Sequence, residues 1–136
     1  MKYMIKGIGI DSVEIERFKD WHAYSNSSLS RIFSKQEIDY CLSVPAKSAE
    51  RFAARFAVRE AFLKALQQVF LNTNFALLTV CKAIQIDKTA NGAPIIAIDW
   101  KKLKVENPKN ISFSISWTHN KTDATAILII YCNQRD

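Results

Sequence analysis

Three charged residues have neighbours that favour metal or ligand chemistry: Asp11, Glu60 and Lys64. Glu60 and Lys64 lie about one turn apart in a long segment without glycine or proline, so a helix places them on one face. The residues beside Glu60 on that face are apolar, namely Ala53, Phe56, Ala57 and Leu63. A carboxylate in such surroundings is costly unless it is paired or binds a metal. The common alternative is an exposed Glu60–Lys64 salt bridge, worth only about 0.3–0.5 kcal/mol.

Asp11 follows a predicted strand that carries Gly7 and Gly9 on one face. Glycine permits the close approach of a ligand or of another backbone, which makes Asp11 a second candidate site residue. The alternative is a helix cap, because Asp11 and Glu14 have the types and spacing common at helix starts. The residues alone favour neither interpretation of Asp11, site residue or helix cap, over the other.

The histidines carry less information about function. His119 ends a serine-rich strand, and a lone histidine is more often structural or exposed than catalytic. His22 belongs to no recognisable cluster. The Gly7 and Gly9 pair is not a dinucleotide-binding fingerprint, since the third glycine is missing.

The first half of the chain predicts one strand followed by helices. Met4 to Ile10 is predicted as a buried strand, and Val13 to Phe18 as a short helix capped by Asp11 or Ser12. Ser34 and Glu37 have the spacing of a capping box, and Pro45 ends or follows that helix. Ala46 to about Phe70 is predicted as one long helix.

The second half predicts clustered antiparallel strands. Val80 to Ile86 and Ile95 to Ile98 are predicted to pair through an Asn-Gly turn at residues 91–92. The basic segment from Trp100 to Pro108 is ambiguous. Ile111 to Trp117 alternates apolar residues with serine, and Ala124 to Tyr131 is predicted as the last strand. The fold class is therefore α+β, with an N-terminal strand, helices that include one long helix, and then antiparallel strands, in a single domain over residues 1–136.

Composition excludes several classes of protein. The chain is 49% hydrophobic and 24% charged, which is typical of a globular domain rather than a disordered one. Its three cysteines lack a C-x-x-C pair, which argues against a zinc site or disulfide framework and fits the cytoplasm. The sequence shows no signal peptide and no run of the roughly 18 apolar residues that span a bilayer, so no membrane association is expected. A net charge of +6 favours an acidic partner.

Four motifs, in order, resemble one known family: GIGIDSVEIERF, RFAARFAVREAFLKAL, NGAP and SWTHNKTDATA. Together they are similar to the bacterial holo-acyl-carrier-protein synthases, the short, single-repeat phosphopantetheinyl transferases. The resemblance runs from about Met4 to Tyr131. It implies the phosphopantetheinyl-transferase-like fold and a homotrimer with sites between neighbouring subunits.

The resemblance also implies roles for individual residues. Asp11 and Glu60 match the ligands of a Mg²⁺ ion, and Glu60 and Lys64 match the catalytic residues. Arg55, Lys64 and His119 match positions that bind coenzyme A. Arg17 matches the arginine that meets the acidic acyl carrier protein.

The implied reaction is the attack of a carrier-protein serine on the β-phosphate of coenzyme A. Phosphopantetheine moves to the serine, and adenosine 3′,5′-bisphosphate leaves. The sequence departs from the family at Arg59, usually lysine, at Asp123, usually aromatic, and at Trp117, which is large for its place. The usual glycine turn after the long helix is also missing from Gln67 to Asn74, which affects the expected shape of the coenzyme A pocket.

Two alternatives belong to other functional classes. A small basic nucleic-acid-binding protein is suggested by the charge and by Arg51, Arg55 and Arg59, which share one side of the long helix. Against it, the aromatic residues do not interleave with basic ones on a strand face, and no nucleic-acid partner is expected. A catalytically weakened family member that acts as a binding scaffold is suggested by the missing glycine turn.

Overall fold

The computed structural model describes residues 2–106 and 108–134, and its element order confirms the α+β class. The strands are β1 (Lys2–Glu14), β2 (Ile84–Lys88), β3 (Pro94–Ile98), β4 (Ile111–His119) and β5 (Asp123–Gln134). The α-helices are α1 (Asn26–Leu29), α2 (Lys35–Leu42), α3 (Ser48–Val69), α4 (Leu77–Ala83) and α5 (Trp100–Leu103). Short 3₁₀ helices span Ile15–Phe18, Trp21–Ala23 and Pro45–Lys47. Within the described residues, no helix has the length and apolar character needed to cross a membrane.

The core lies between α3 and an antiparallel sheet in the strand order β1-β5-β4. The central strand, β5, turns four buried side chains toward the helix: Ala124, Ala126, Leu128 and Ile130. Ala126 is flanked by one residue from each outer strand: it pairs with Asp11 of β1 on one side and with Trp117 of β4 on the other. The two outer strands therefore carry Asp11 and Trp117 on opposite edges of the surface that α3 covers.

The first strand packs on α3 through glycine, which corrects the expectation of buried isoleucines. Ile8 and Ile10 are 47% and 59% exposed, whereas Gly7 and Gly9 are buried. A Cβ atom on Gly7 would lie 2.5 Å from the carbonyl oxygen of Ala65, and one on Gly9 would collide with the backbone of Ala61. The backbone of α3 is so close to β1 that only glycine fits between them.

The predicted cap at Asp11 or Ser12 is wrong, because β1 continues to Glu14 before the chain turns into the first 3₁₀ helix. The N-cap residue of that helix is Glu14, whose side chain makes no capping hydrogen bond. Twelve residues of β1 pair with β5, and this strand pairing outweighs the local preference of Asp11 and Ser12 for a helix start. The Asp11 carboxylate is therefore not used as a cap.

The predicted strand from Val80 to Ile86 is partly wrong, because its first half is helical in α4 and only Ile84 onward forms a strand. Three residues with helical spacing, Val80, Cys81 and Ile84, are buried. Together with Leu77 they follow the i, i+3, i+4, i+7 pattern of an amphipathic helix, which outweighs the strand preference of valine and isoleucine. The ambiguous basic segment begins with α5, and the Asp99 side chain accepts a hydrogen bond at its start.

The remaining element predictions are confirmed. Ser34 and Glu37 form the reciprocal capping box of α2. Gly92, with φ at 87°, lies in the turn that joins β2 to β3. The long helix, the alternating strand β4 and the last strand β5 lie within a few residues of their predicted positions.

The arginines that share one side of α3 are largely internal. Arg59 is fully buried, and its two terminal nitrogens donate to the carboxylate of Glu37 at 2.8 and 2.7 Å. Arg59 also donates to the carbonyl oxygens of Cys81 and Ile84, so it joins α2, α4 and β2 to the long helix. Arg55 is 4% exposed. These side chains do not form an exposed basic row, which removes the main support for the nucleic-acid alternative.

The close approach of α3 and β1 predicts an unequal response to adding one methyl group. Gly9→Ala should lower the free energy of unfolding by about 3 kcal/mol, the upper part of the range for overpacking, because the new Cβ meets helix backbone. Gly92→Ala is the control: its Cβ meets open space, and only its positive φ is unfavourable, at about 1 kcal/mol. Urea unfolding of both variants measures the difference. Equal losses would contradict this account of the helix–strand contact.

Candidate active site

Asp11 and Glu60 are brought together by the packing of α3 on β1. Asp11 lies two residues beyond Gly9 on the same face of the strand, and Glu60 precedes Ala61, the residue that Gly9 meets. Burial raises the pKa of Glu60, and the neighbouring Asp11 carboxylate raises it further. Lys64 and Arg17 lower the same pKa through their positive charge. The two predicted metal ligands therefore lie close enough for their charges to interact.

One oxygen of Asp11 has no partner. Its Oδ1 accepts a hydrogen bond from the Lys64 ammonium at 3.2 Å, whereas Oδ2 is buried and has no hydrogen-bond partner among the described residues. A buried oxygen without a partner costs about 1–3 kcal/mol. A cation held between Asp11 and Glu60 would remove this cost and reduce the repulsion between the carboxylates.

The donor set fits Mg²⁺, the ion that the resemblance implies. This ion takes oxygen ligands and usually keeps several waters beside one or two carboxylates. In the described ranges, no group of three or more histidine, cysteine, aspartate or glutamate side chains gathers at one point. Asp11 and Glu60 would thus supply two ligands and leave the other positions to water and to phosphate oxygens.

Lys64 lies at this pair of carboxylates and reaches β1 rather than Glu60. Its ammonium donates to the carbonyl oxygen of Ile10 at 2.9 Å and pairs with Asp11. Within the part of the chain that the structure describes, it forms no ion pair with Glu60, so the simple i,i+4 salt bridge is not observed. About half of the Lys64 side chain (51%) is exposed, which leaves its ammonium accessible to an anion.

Arg17 lies exposed in the 3₁₀ helix that follows β1. Its guanidinium carbon is 5.7 Å from the ring centroids of both Phe18 and Phe56, which hold the planar group by cation–π contact. Because Arg17 also lowers the pKa of Glu60, it lies near the carboxylates. We refer to Asp11, Arg17, Glu60 and Lys64 as the carboxylate cluster.

The other predicted site residues, Arg55 and His119, lie in a separate basic cavity of about 240 Å³. Its main lining residues are Tyr40, Arg51, Arg55, Lys88, Trp117 and His119. The exposed His119 imidazole has its Nε2 3.4 Å from Oε2 of Glu50, which also lines the cavity. We refer to this site as the basic cavity.

Within one chain, the carboxylate cluster and the basic cavity lie on opposite flanks of α3. Arg51 and Glu60 are nine residues apart in the helix, or about two and a half turns, so they face opposite ways. In the sheet below, Asp11 and Trp117 are separated by β5, or roughly 10 Å at ordinary strand spacing. The predicted residues therefore form two sites in a single chain.

Sequence reasoning missed Tyr40 and Lys88, which complete the basic cavity. Tyr40 lies in a helix with mixed composition, and Lys88 is one of many surface lysines, so no local pattern marks either residue. The missing glycine turn has a local explanation: α3 is capped by Phe70 at φ −110°, and the Phe70 ring packs edge-on against Phe75 at 5.9 Å. This cap needs no left-handed residue.

The model of the 4′-phosphopantetheinyl transferase superfamily matches residues 7–128, which include the carboxylate cluster and the basic cavity. The curated holo-(acyl-carrier-protein) synthase of Clostridium kluyveri is 37% identical over 128 residues, covering 93% of this chain and 90% of the relative. The Treponema denticola synthase is also 37% identical over 128 residues, covering 93% of this chain and 98% of the relative. The structure of the Helicobacter pylori synthase in complex with coenzyme A is 31% identical, with a TM-score of 0.67, and the match covers 90% of this chain and 98% of that one.

The raised pKa of Glu60 predicts that its ionised carboxylate destabilises the folded protein when no metal is bound. Where a carboxyl pKa is higher in the folded state than the ordinary value of about 4.3, the folded state holds the proton more tightly. The contribution of Glu60 to stability is then fully present below that value and is lost as the pH rises through the folded pKa. At pH 7 in EDTA, Glu60→Gln should therefore melt at a higher temperature than the unmodified protein.

Glu16→Gln is the control for this measurement, because Glu16 is exposed and pairs with Lys19. It should show no gain in melting temperature. Mg²⁺ should stabilise the unmodified protein and do so less for Glu60→Gln, since a ligand that binds the folded state raises stability. A lower melting temperature of Glu60→Gln in EDTA at every pH from 5 to 8 would contradict the proposed charge repulsion.

Proposed function

The chain belongs to the 4′-phosphopantetheinyl transferase superfamily, and on this premise we propose that it transfers 4′-phosphopantetheine from coenzyme A to a serine of an apo-acyl-carrier protein. Adenosine 3′,5′-bisphosphate is the second product. The observation that supports this proposal most directly is the closeness of the Asp11 and Glu60 carboxylates beside the Lys64 ammonium. The buried Oδ2 of Asp11 has no hydrogen-bond partner among the described residues. That arrangement suits a cation-dependent reaction of a phosphate group.

Phosphoryl transfer depends on positioning and on stabilisation of charge more than on covalent catalysis. When bound by Asp11 and Glu60, Mg²⁺ would neutralise charge on the diphosphate of coenzyme A. Lys64 stands beside these carboxylates with its side chain half exposed, where its ammonium can stabilise the negative charge that builds on the leaving phosphate oxygen. Glu60 lies beside Asp11 and Lys64 in the carboxylate cluster, and it is the residue we propose to take the proton of the attacking serine.

The carrier protein itself provides the direct test of this function. The protein is incubated with an apo-acyl-carrier protein, coenzyme A and Mg²⁺, and the carrier is weighed by mass spectrometry. We expect the carrier to gain the mass of one phosphopantetheinyl group. A carrier that binds but keeps its mass would support the scaffold alternative instead.

The free cysteines agree with a cytoplasmic reaction. Cys41 and Cys81 are buried and Cys132 is partly buried, and all three are free thiols in the structure. Burial raises the pKa of both Cys41 and Cys81 to about 11, so these thiols resist oxidation. We place the reaction in the cytoplasm, where thiols stay reduced and acyl carrier proteins are used.

We further propose a homotrimer in which the basic cavity of one chain completes the carboxylate cluster of the next. The support is the separation of the two sites within one chain, together with an exposed apolar surface on the outer side of β1. This outer face of β1 carries Tyr3, Ile5, Ile8 and Ile10, each more than 40% exposed. Contiguous exposed apolar patches of this kind mark interaction sites.

We predict that Lys64 contributes to the rate of transfer and contributes little to the stability of the fold. Removal of one group that stabilises developing charge typically costs on the order of 10²–10³ in kcat. We expect Lys64→Ala to fold normally, to bind Mg²⁺ and to lose at least about tenfold in kcat, with Lys64→Arg only partly restored because its reach and geometry differ. Lys35→Ala removes a helix lysine that pairs with Asp39, away from the site, and should keep full activity. An unchanged kcat in Lys64→Ala would leave the contact with Asp11 as its only role.

Arg17 is predicted to contribute to carrier binding. It is exposed near the carboxylates and carries a positive charge toward an acidic partner. Arg17→Ala should raise KM for the carrier several-fold more than KM for coenzyme A, and the effect should shrink at high salt. Arg31→Ala, another exposed arginine, serves as the control. Equal changes in both KM values would assign Arg17 a structural role.

The outer face of β1 is predicted to be the contact between subunits. Ile8→Lys places a charge in the middle of this face and should convert the trimer to a smaller species in size-exclusion chromatography with light scattering. Leu78→Lys, an exposed apolar position on α4, should leave the mass unchanged. If Ile8→Lys has the same mass as the unmodified protein, this face is not the interface.

A further inference from the structure

Tyr40 stands at the centre of three cations in the basic cavity. The guanidinium carbons of Arg51 and Arg55 lie 4.0 and 4.7 Å from its ring centroid, and the ammonium of Lys88 lies 4.6 Å from it. Lys88 also donates to the Tyr40 hydroxyl at 2.7 Å, and Arg51 donates to the Tyr40 carbonyl oxygen at 2.9 Å. A single residue of α2 thus contacts cations from α3 and from the end of β2.

An aromatic ring holds cations without neutralising them. Its negative faces attract a guanidinium or an ammonium, yet the ring itself carries no charge. A carboxylate at the same place would cancel one of the three charges, as Glu37 does for Arg59. The hydrogen bond from Lys88 lowers the pKa of Tyr40, in keeping with an ammonium held directly against its hydroxyl. The positive charge gathered around Tyr40 is therefore left for a ligand.

Arg55 gives a second indication that the basic cavity suits an anion. It is 4% exposed, and its Nε forms no hydrogen bond among the residues described. The carboxylate nearest to it, that of Glu37, is 3.9 Å away and already receives two hydrogen bonds from Arg59. Burial lowers the pKa of Arg55, as expected for a charge that is incompletely compensated. The carboxylate that lines the cavity, that of Glu50, is turned to His119.

We propose that Tyr40 is a positioning residue that holds Arg51, Arg55 and Lys88 as a preorganised site for a phosphate monoester, and thereby sets the preference for coenzyme A over its analogue without the 3′-phosphate. The inference rests on the proposed function, since coenzyme A carries one phosphate monoester in addition to its diphosphate. Three cations gathered from α3 and the end of β2 would otherwise repel one another and lose order before the ligand binds. The ring and the hydroxyl of Tyr40 offset that repulsion in the free protein. The three side chains are therefore already ordered, and binding costs less conformational entropy.

Two substitutions separate the ring from the hydroxyl. Tyr40→Leu removes both, whereas Tyr40→Phe keeps the ring contacts and removes only the hydrogen bond from Lys88. With coenzyme A, we expect Tyr40→Leu to raise KM about tenfold and Tyr40→Phe to raise it about two- to threefold, with kcat little changed in either variant. With 3′-dephospho-coenzyme A, neither variant should change KM. Tyr24→Leu, at an exposed tyrosine that packs on Trp21, is the matched control.

The comparison of the two substrates decides the result. Equal rises in KM for coenzyme A and its dephospho analogue, or an unchanged KM for coenzyme A in Tyr40→Leu, would overturn the role of Tyr40. If the unmodified protein shows no transfer, the proposed function fails. The role of Tyr40 is then tested separately by calorimetry, which compares the affinity for adenosine 3′,5′-bisphosphate with the affinity for 5′-AMP. In that assay, Tyr40→Leu should lose the preference for the bisphosphate. A retained preference in a variant whose melting curve shows it is folded would again overturn the proposal.

Discussion

The approach of α3 to β1 is the contact on which the carboxylate cluster depends. Gly7 and Gly9 let the helix backbone at Ala61 and Ala65 come within direct contact of the strand. Because Glu60 precedes Ala61, this distance also decides how far its carboxylate lies from Asp11. Any side chain larger than glycine would separate the helix and the strand, and with them the two candidate metal ligands. The same packing that closes the core thus fixes the geometry of the site.

The buried pair of Arg59 and Glu37 has a similar role on the opposite flank of α3. Removing two charges from water is expensive, so such a pair contributes little net stability and is better explained by the arrangement that it specifies. Glu37 belongs to the capping box of α2, and Arg59 binds the carbonyl oxygens at the end of α4 and the start of β2. The pair therefore fixes α2, which carries Tyr40, relative to the helix that carries Arg51 and Arg55. The cations of the basic cavity depend on this junction for their position.

Local patterns predicted most elements, because a capping box, an Asn-Gly turn and an alternating strand each act over a few residues. Their neighbours marked Asp11, Glu60 and Lys64 as candidates, the family resemblance assigned their roles, and the structure places these three together. The exposure of Ile8 and Ile10 could not be predicted, since alternation defines two faces of a strand but not which one meets the helix. Tyr40 could not be predicted either, since its contacts join segments that are 11 to 48 residues apart in the chain.

The distribution of charge around α3 has a consequence for the proposed reaction. Coenzyme A carries a diphosphate, which suits a cation held by Asp11 and Glu60, and a phosphate monoester, which suits the cations around Tyr40. One chain presents these two sites on opposite flanks of the same helix, so a single ligand would have to reach around α3 to contact both. In the proposed trimer, a second copy would bring its basic cavity to the carboxylate cluster of the first. The exposed isoleucines of β1 lie on the strand that carries Asp11, so the apolar surface available for that contact is next to the site it would complete.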